Sequence, residues 1–158
     1  MDLRRIILPL PATYHWAEIP GEPRAWKRPG RGKYGHAYNA SLKDQKAFAW
    51  QVRAALPNIR LDETSDFGVR CAFLCSQERM IHERKLILRK RKVYSRGQEH
   101  GDCDNFLKNC LDAMNGFVWA DDVQVIEAFA TVRECDARGP RTEILLYPID
   151  EAYREATG

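Results

Sequence analysis

The sequence predicts a single α+β domain over residues 1–158, with a mixed or antiparallel sheet and two main helices. Three observations point there. Short apolar runs recur along the 158 residues, bounded by Pro, Gly and Asn, as strands joined by turns would give. Two segments place their apolar residues at helical spacing. No internal repeat or low-complexity tract interrupts them, and this length supports an ordinary hydrophobic core.

The elements follow in order. Residues 3–8 are apolar enough for a short strand, and Tyr14 to Ile19 make another that stops at Pro20-Gly21. Residues 20–40 are rich in Pro, Gly, Arg and Lys and read as loop. Ser41 is placed to N-cap a helix, with Asp44 in its first turn. That helix runs to about Leu56, before Pro57 and Asn58, and its buried stripe is Phe48, Val52, Ala55 and Leu56. Phe67 to Cys75 alternates as a strand, with Phe67, Val69, Cys71 and Phe73 on one face. Residues 76–101 mix Met80, Ile81, Leu86, Ile87 and Leu88 with many charges; a basic helix and a long mobile hairpin both fit.

Asn105 to Asn115 is the clearest helix. Phe106, Leu107, Cys110, Leu111 and Met114 form its apolar stripe, Asp104 is the expected N-cap and Gly116 the expected stop. Val123 to Arg133 reads as a strand, with Ile126, Ala128, Ala130 and Val132 on one face. Asp136 to Pro140 is a turn, and Arg141 to Ile149 a closing strand, expected as the hairpin partner of the strand before it.

The net charge is only +3, which excludes a histone-like polycation. Its distribution says more. Residues 24–46 carry seven Lys or Arg and one acid, and residues 79–96 eight Lys or Arg and one acid. Between these and the C-terminal part, residues 102–122 carry five Asp and one Lys. Basic clusters attract phosphates at long range, whereas a tight acidic cluster repels phosphate unless a cation lies between. No run approaches the roughly 18 apolar residues of a membrane span, and Ile6 to Leu10 is too short for a signal-peptide core. Five cysteines without C-x-x-C spacing suit a reducing, cytoplasmic compartment and argue against structural zinc.

The chemistry concentrates in Asp102-Cys103-Asp104-Asn105, Lys108, Asp112 and Trp119-Ala120-Asp121-Asp122. Two Asp one residue apart in an extended segment point to the same side. Lys108, four residues after Asp104, reaches back toward them. After the turn at Gly116 the chain returns, so that one of Asp121 and Asp122 can join the pair. Three such carboxylates suit Mg²⁺, which takes hard oxygen ligands. Phosphodiester cleavage needs the attacking water activated and the extra charge on phosphate neutralised, which a metal ion and a nearby ammonium supply. Each residue also has an ordinary structural use: Asp104 as a cap, Lys108 as an i,i+4 partner of Asp104 or Asp112, Asp121-Asp122 as a turn. Asp112 is the exception. It stands in the last turn of a helix, where the dipole disfavours anions, and pairing with Lys108 would hold that side chain in place. Trp26, among Arg24, Lys27 and Arg28, suits either stacking on an unpaired base or packing on its own core. His100 is read as solvent-exposed.

The 24-residue run DCDNFLKNCLDAMNGFVWADDVQV resembles the signature of the RusA-type Holliday junction resolvases, crossover junction endodeoxyribonucleases common in prophages. Both have D-x-D-N-x-x-K, a helix ending in Gly, then W-x-D-D-x-Q-V. Pro23 to Tyr38 resembles the family's N-terminal loop more loosely. Cys103 and Phe106 depart from the usual aliphatic residues, and the basic stretch 76–99 is long.

The resemblance implies a small α+β homodimer, bacterial or phage-encoded, with a Mg²⁺ site in each subunit and Mn²⁺ as an alternative. Asp102, Asp104 and Asp122 would bind metal and Lys108 would be the catalytic lysine; Asp121 would orient the loop or add an outer contact. The expected activity is paired cleavage of four-way DNA junctions. Arg24, Lys27, Arg28, Arg31, Lys33, Arg89, Lys90, Arg91 and Lys92 are the expected DNA contacts. Two alternatives remain open: a non-catalytic protein that binds branched nucleic acid, and a related nuclease preferring flaps or forks.

Overall fold

A computed structural model describes residues 13–27, 29–60, 62–79 and 103–157. The expected strand over residues 3–8, the ambiguous stretch from Met80 onward, Arg28, His100, Asp102 and the basic run Arg89, Lys90, Arg91, Lys92 lie outside the described residues.

Strand β1 (His15–Pro20) precedes a long loop holding a two-residue pair, β2 (Gly30–Arg31) and β3 (Ala37–Tyr38). Helix α1 (Leu42–Ala55) and strand β4 (Phe67–Cys75) come next. Helix α2 (Cys103–Met114), a 3₁₀ turn (Asp122–Gln124), strand β5 (Val125–Glu134), strand β6 (Arg141–Pro148) and a short helix α3 (Glu151–Thr157) complete the described chain.

The main sheet has the order β1-β6-β4-β5. It is mixed: β6 runs antiparallel to both β1 and β4, whereas β4 and β5 are parallel. Parallel neighbours need a long crossover, and the segment containing α2 is that crossover. The expected β5–β6 hairpin is therefore not formed. β6 leaves β5 at the Asp136–Pro140 turn and inserts between β1 and β4, where all but its last residue are buried.

Both faces of β4 are covered, which explains burial of all nine of its residues. On one face Val69, Cys71 and Phe73 join Val52 of α1 and Phe106, Cys110 and Met114 of α2 in the principal core. On the other, Arg70 stacks on Tyr147, its guanidinium carbon 5.2 Å from the ring centroid. Tyr147 and Tyr153 of α3 both donate hydrogen bonds to Glu127. Helix α3 has no counterpart in the sequence reading; its anchor is Tyr153, whose ring lies 5.2 Å from that of Tyr147.

Several local expectations change. Ser41 occupies the N-cap position of α1, but its side chain makes no cap bond. Its Oγ instead accepts from the Lys27 backbone N–H at 2.6 Å. Ala55 is exposed rather than part of the buried stripe. Asp104 is not a cap: α2 begins at Cys103, so Asp104 sits inside the first turn. Val123 and Gln124 belong to the 3₁₀ turn, and a bulge opposite Phe67–Gly68 shifts the register of β5, leaving Ile126 exposed.

Gly68 has a steric role. A Cβ there would fall on the ring of Tyr147, which is fully buried. Replacing Gly68 with Ala should cost about 1–3 kcal/mol of stability through forced repacking, lowering the midpoint of thermal or urea unfolding. A midpoint equal to wild type would show that the Tyr147–Glu127 contact is not held rigidly.

Candidate active site

Helix α2 is fixed against rotation by its buried side. Phe106 stacks on Phe73 of β4 with centroids 5.2 Å apart and planes 25° apart. The Cys110 and Cys71 sulfurs approach to 3.9 Å as free thiols. At about 100° per residue, Asp104, Lys108 and Asp112 fall within an arc of about 80°, opposite Phe106, Cys110 and Met114. Core packing thus aims the acidic and lysine side chains outward together.

Lys108 is held from two sides. Its Nζ lies 3.7 Å from Asp112 Oδ1 and 5.5 Å from the centroid of the Trp26 ring, a cation–π distance. Trp26 is itself fastened to α2, because its backbone N–H donates to the Asn105 carbonyl at 2.8 Å. Asn109 adds a second tie one turn on, donating to the Arg24 carbonyl at 3.0 Å. Of the two uses the sequence left open for Trp26, the structure shows the ring half-buried beside Lys108.

Asp112 is in turn held by α1. Gln45 Nε2 donates to Asp112 Oδ2 at 3.2 Å, and Gln45 Oε1 accepts from Asn39 Nδ2 at 2.9 Å. Asn39 Oδ1 accepts from the Ser41 backbone N–H at 2.9 Å. A chain of polar contacts therefore runs from the loop before α1 to the Lys108 ammonium. Sequence reasoning anticipated the Lys108–Asp112 pair but missed Gln45 and Asn39. The available signal was a polar residue, Gln45, in line with the apolar stripe Phe48, Val52 and Leu56 of α1.

The loop after α2 brings the remaining acids. Trp119 is fully buried against Phe67, and its Nε1 donates to Asn115 Oδ1 at 2.7 Å. Asp121 caps the 3₁₀ turn, accepting from the Val123 N–H at 3.1 Å, with Gln124 completing a reciprocal capping box. Gln124 Nε2 also donates to the carbonyls of Asp62 and Ser65, at 3.1 and 2.9 Å. Asp121 is thus a structural cap.

The electrostatics separate these two acids. The Val123 N–H and the neighbouring Asp122 side chain hold Asp121 below the usual carboxylate range. Asp122 is pushed up, first by burial and then by Asp121 and Asp112; Lys108 opposes the rise. Lys108 and Asp112 are paired, Asp122 lies within electrostatic reach of both, and Asp104 sits one turn before Lys108 on the same helix face. Among the described residues no three His, Cys, Asp or Glu side chains surround a metal position. Asp102, the third carboxylate of the expected set, lies outside those residues.

The expected DNA contacts fare differently. Arg24, Arg31 and Lys33 are exposed. Lys27 pairs with Asp44 at 3.1 Å, so part of its charge is already balanced. No helix among the described residues is long and apolar enough to cross a membrane.

The family model described as endodeoxyribonuclease RusA matches residues 20–147, a span that takes in α1, α2, the 3₁₀ turn, β4, β5 and nearly all of β6. A search of curated proteins found no match.

The polar chain behind Lys108 makes a measurable claim. Gln45→Leu should cost about 1–3 kcal/mol of stability, because a carboxylate loses a hydrogen bond. Asn39→Ala should cost less, and the double variant less than the sum, by about 0.5 kcal/mol or more. Strict additivity in urea unfolding would show that the two side chains act separately.

Proposed function

This chain belongs to the RusA endodeoxyribonuclease family, and we propose that it resolves four-way DNA junctions by paired, Mg²⁺-dependent phosphodiester cleavage as a homodimer. The observation that carries the reading is the outward face of α2, where Asp104 precedes Lys108 by one turn, with Asp122, raised first by burial and then by Asp121 and Asp112, within electrostatic reach of that lysine. Such a set of hard oxygen donors, short of positive charge, fits a small divalent cation.

Asp102, Asp104 and Asp122 would hold Mg²⁺, or Mn²⁺ in its place. The ion would supply charge neutralisation and a more acidic bound water. The chain's own groups do the rest. Lys108, kept in place by Asp112 and the Trp26 ring, directs its N–H donors at the phosphate oxygens as negative charge grows there. Asp121 holds the loop so that Asp122 keeps its position. Arg24, Lys27, Arg28, Arg31 and Lys33, with Arg89, Lys90, Arg91 and Lys92, grip the backbone without reading bases, which makes binding strongly salt-dependent. A two-fold dimer would present two such sites to opposing strands of a two-fold symmetric junction.

The test compares synthetic four-way junction, fork, flap and duplex substrates with and without Mg²⁺. Symmetric nicks in the junction that require Mg²⁺ are expected. Asp104→Asn and Lys108→Met should each slow cleavage about 100-fold or more while junction binding persists. Wild-type cleavage by Asp104→Asn would refute the site. Binding without any product at every Mg²⁺ concentration would make the chain a non-catalytic binder, and faster cutting of flaps or forks would reassign the substrate.

A further inference from the structure

The outward side of α1 has no role in the site just described. Lys43, Lys46, Trp50 and Arg53 fall within an arc of about 80° on the helix, and all four are exposed. Trp50 is 71% exposed, which is unusual for so large an apolar ring. The Arg53 guanidinium lies 6.0 Å from the Trp50 ring centroid and 4.6 Å from that of Phe117. No described ion pair involves Lys43, Lys46 or Arg53; the one acid of the helix, Asp44, faces Lys27. The patch therefore presents three cations and a flat aromatic surface, with no carboxylate of α1 on the same face.

Helix α1 also touches the elements that build the candidate site. At the N-terminal end of α1, Gln45 reaches Asp112. At the other end Arg53 covers Phe117, two residues before the Trp119–Asp122 loop. Lys43 and Arg53 are ten residues apart, about 15 Å along the axis.

We infer that this face of α1 is a docking surface for an unpaired DNA strand, which stacks a base on Trp50 and lays its phosphates along Lys43, Lys46 and Arg53. The chemistry selects that partner. Interleaved cations and an aromatic face bind single strands regardless of sequence, because every base has a π face and every linkage a charge. A duplex offers phosphates but keeps its bases stacked inside, and so leaves Trp50 unused. The inference rests on DNA being the substrate and adds a second contact region to it: the strand leaving the cutting site crosses α1 where pairing is broken near the branch point.

The experiment measures binding of wild type, Trp50→Ala and the double variant Lys43→Gln/Lys46→Gln to a thymidine oligomer, a duplex and a four-way junction at several salt concentrations. Junction nicking is followed alongside under single-turnover, saturating conditions. Trp50→Ala should bind the single strand about tenfold more weakly while its duplex affinity stays as in wild type. The double variant should show a shallower dependence of log affinity on log salt, by about 1.4 for the single strand. Saturated nicking rates should match wild type in both. Unchanged single-strand affinity and slope in both variants would overturn the inference even with nicking intact. Equal loss on duplex and single strand would overturn the stacking role. A dimer-to-monomer change in sedimentation of Trp50→Ala would reassign the face to self-association. If wild type fails to nick junctions but these binding differences persist, the resolvase reading falls and the docking surface stands.

Discussion

The seating of α2 on β4 is the constraint from which the rest follows. Phe106, Cys110 and Met114 are buried against the sheet, and withdrawing a large apolar side chain from such a core costs about 1.5–3 kcal/mol each. The helix consequently has one rotational setting. In that setting the Cys110 thiol, hydrogen-bonded to the free Cys71 thiol and buried, has its ionisation pushed well above the ordinary range; both sulfurs serve as packing volume. The opposite side of the same helix carries Asp104, Lys108 and Asp112, so their common direction is a consequence of apolar packing. No polar contact among them has to create it.

A second constraint sets the loop that returns to α2, and it shows how one residue type serves two ends. Asp62 accepts hydrogen bonds from the Thr64 and Ser65 N–H groups and from both hydroxyls. Those donors hold its carboxyl far below the usual range. The resulting turn offers the Asp62 and Ser65 carbonyls to Gln124 and thereby fixes the 3₁₀ turn. Asp122, by contrast, meets burial and other carboxylates and is pushed up. Donors around one aspartate build a scaffold for the turn that carries the other.

The local pattern made much of this legible. Alternation in Phe67 to Cys75 and the helical stripe of Phe106, Cys110 and Met114 identify β4 and α2, because each apolar face has a single period. The order of strands is less legible. Adjacent antiparallel strands usually pair as a hairpin, but β6 finds its partners in β1 and β4, which lie far back in the chain. Nothing within residues 125–149 distinguishes the two outcomes. The bulge in β5 is hidden for the same reason, since register belongs to a pair of strands. In the candidate site, Asp104, Lys108 and one of Asp121 and Asp122 stood out from spacing along one segment, and the resemblance singled out Asp122. Gln45 offered only its place in the apolar stripe of α1: its partner Asp112 is 67 residues away, and a helical Gln has no spacing that announces a distant carboxylate.

The structure also reapportions the charge that the sequence could only total. The basic segment 24–46 is not uniform: Lys27 is matched by Asp44, while Arg24, Arg31, Lys33, Lys43 and Lys46 point to solvent. The acidic segment is unequal too. Asp121 is satisfied by the backbone of its own turn, and Asp112 is shared between Gln45 and Lys108. What remains at the centre is Asp122, with one lysine already engaged by Asp112. A phosphate brought there by the surrounding cations would meet net negative charge that a single ammonium cannot offset. That imbalance is what the proposed divalent cation would offset, making the two halves of the charge pattern compatible.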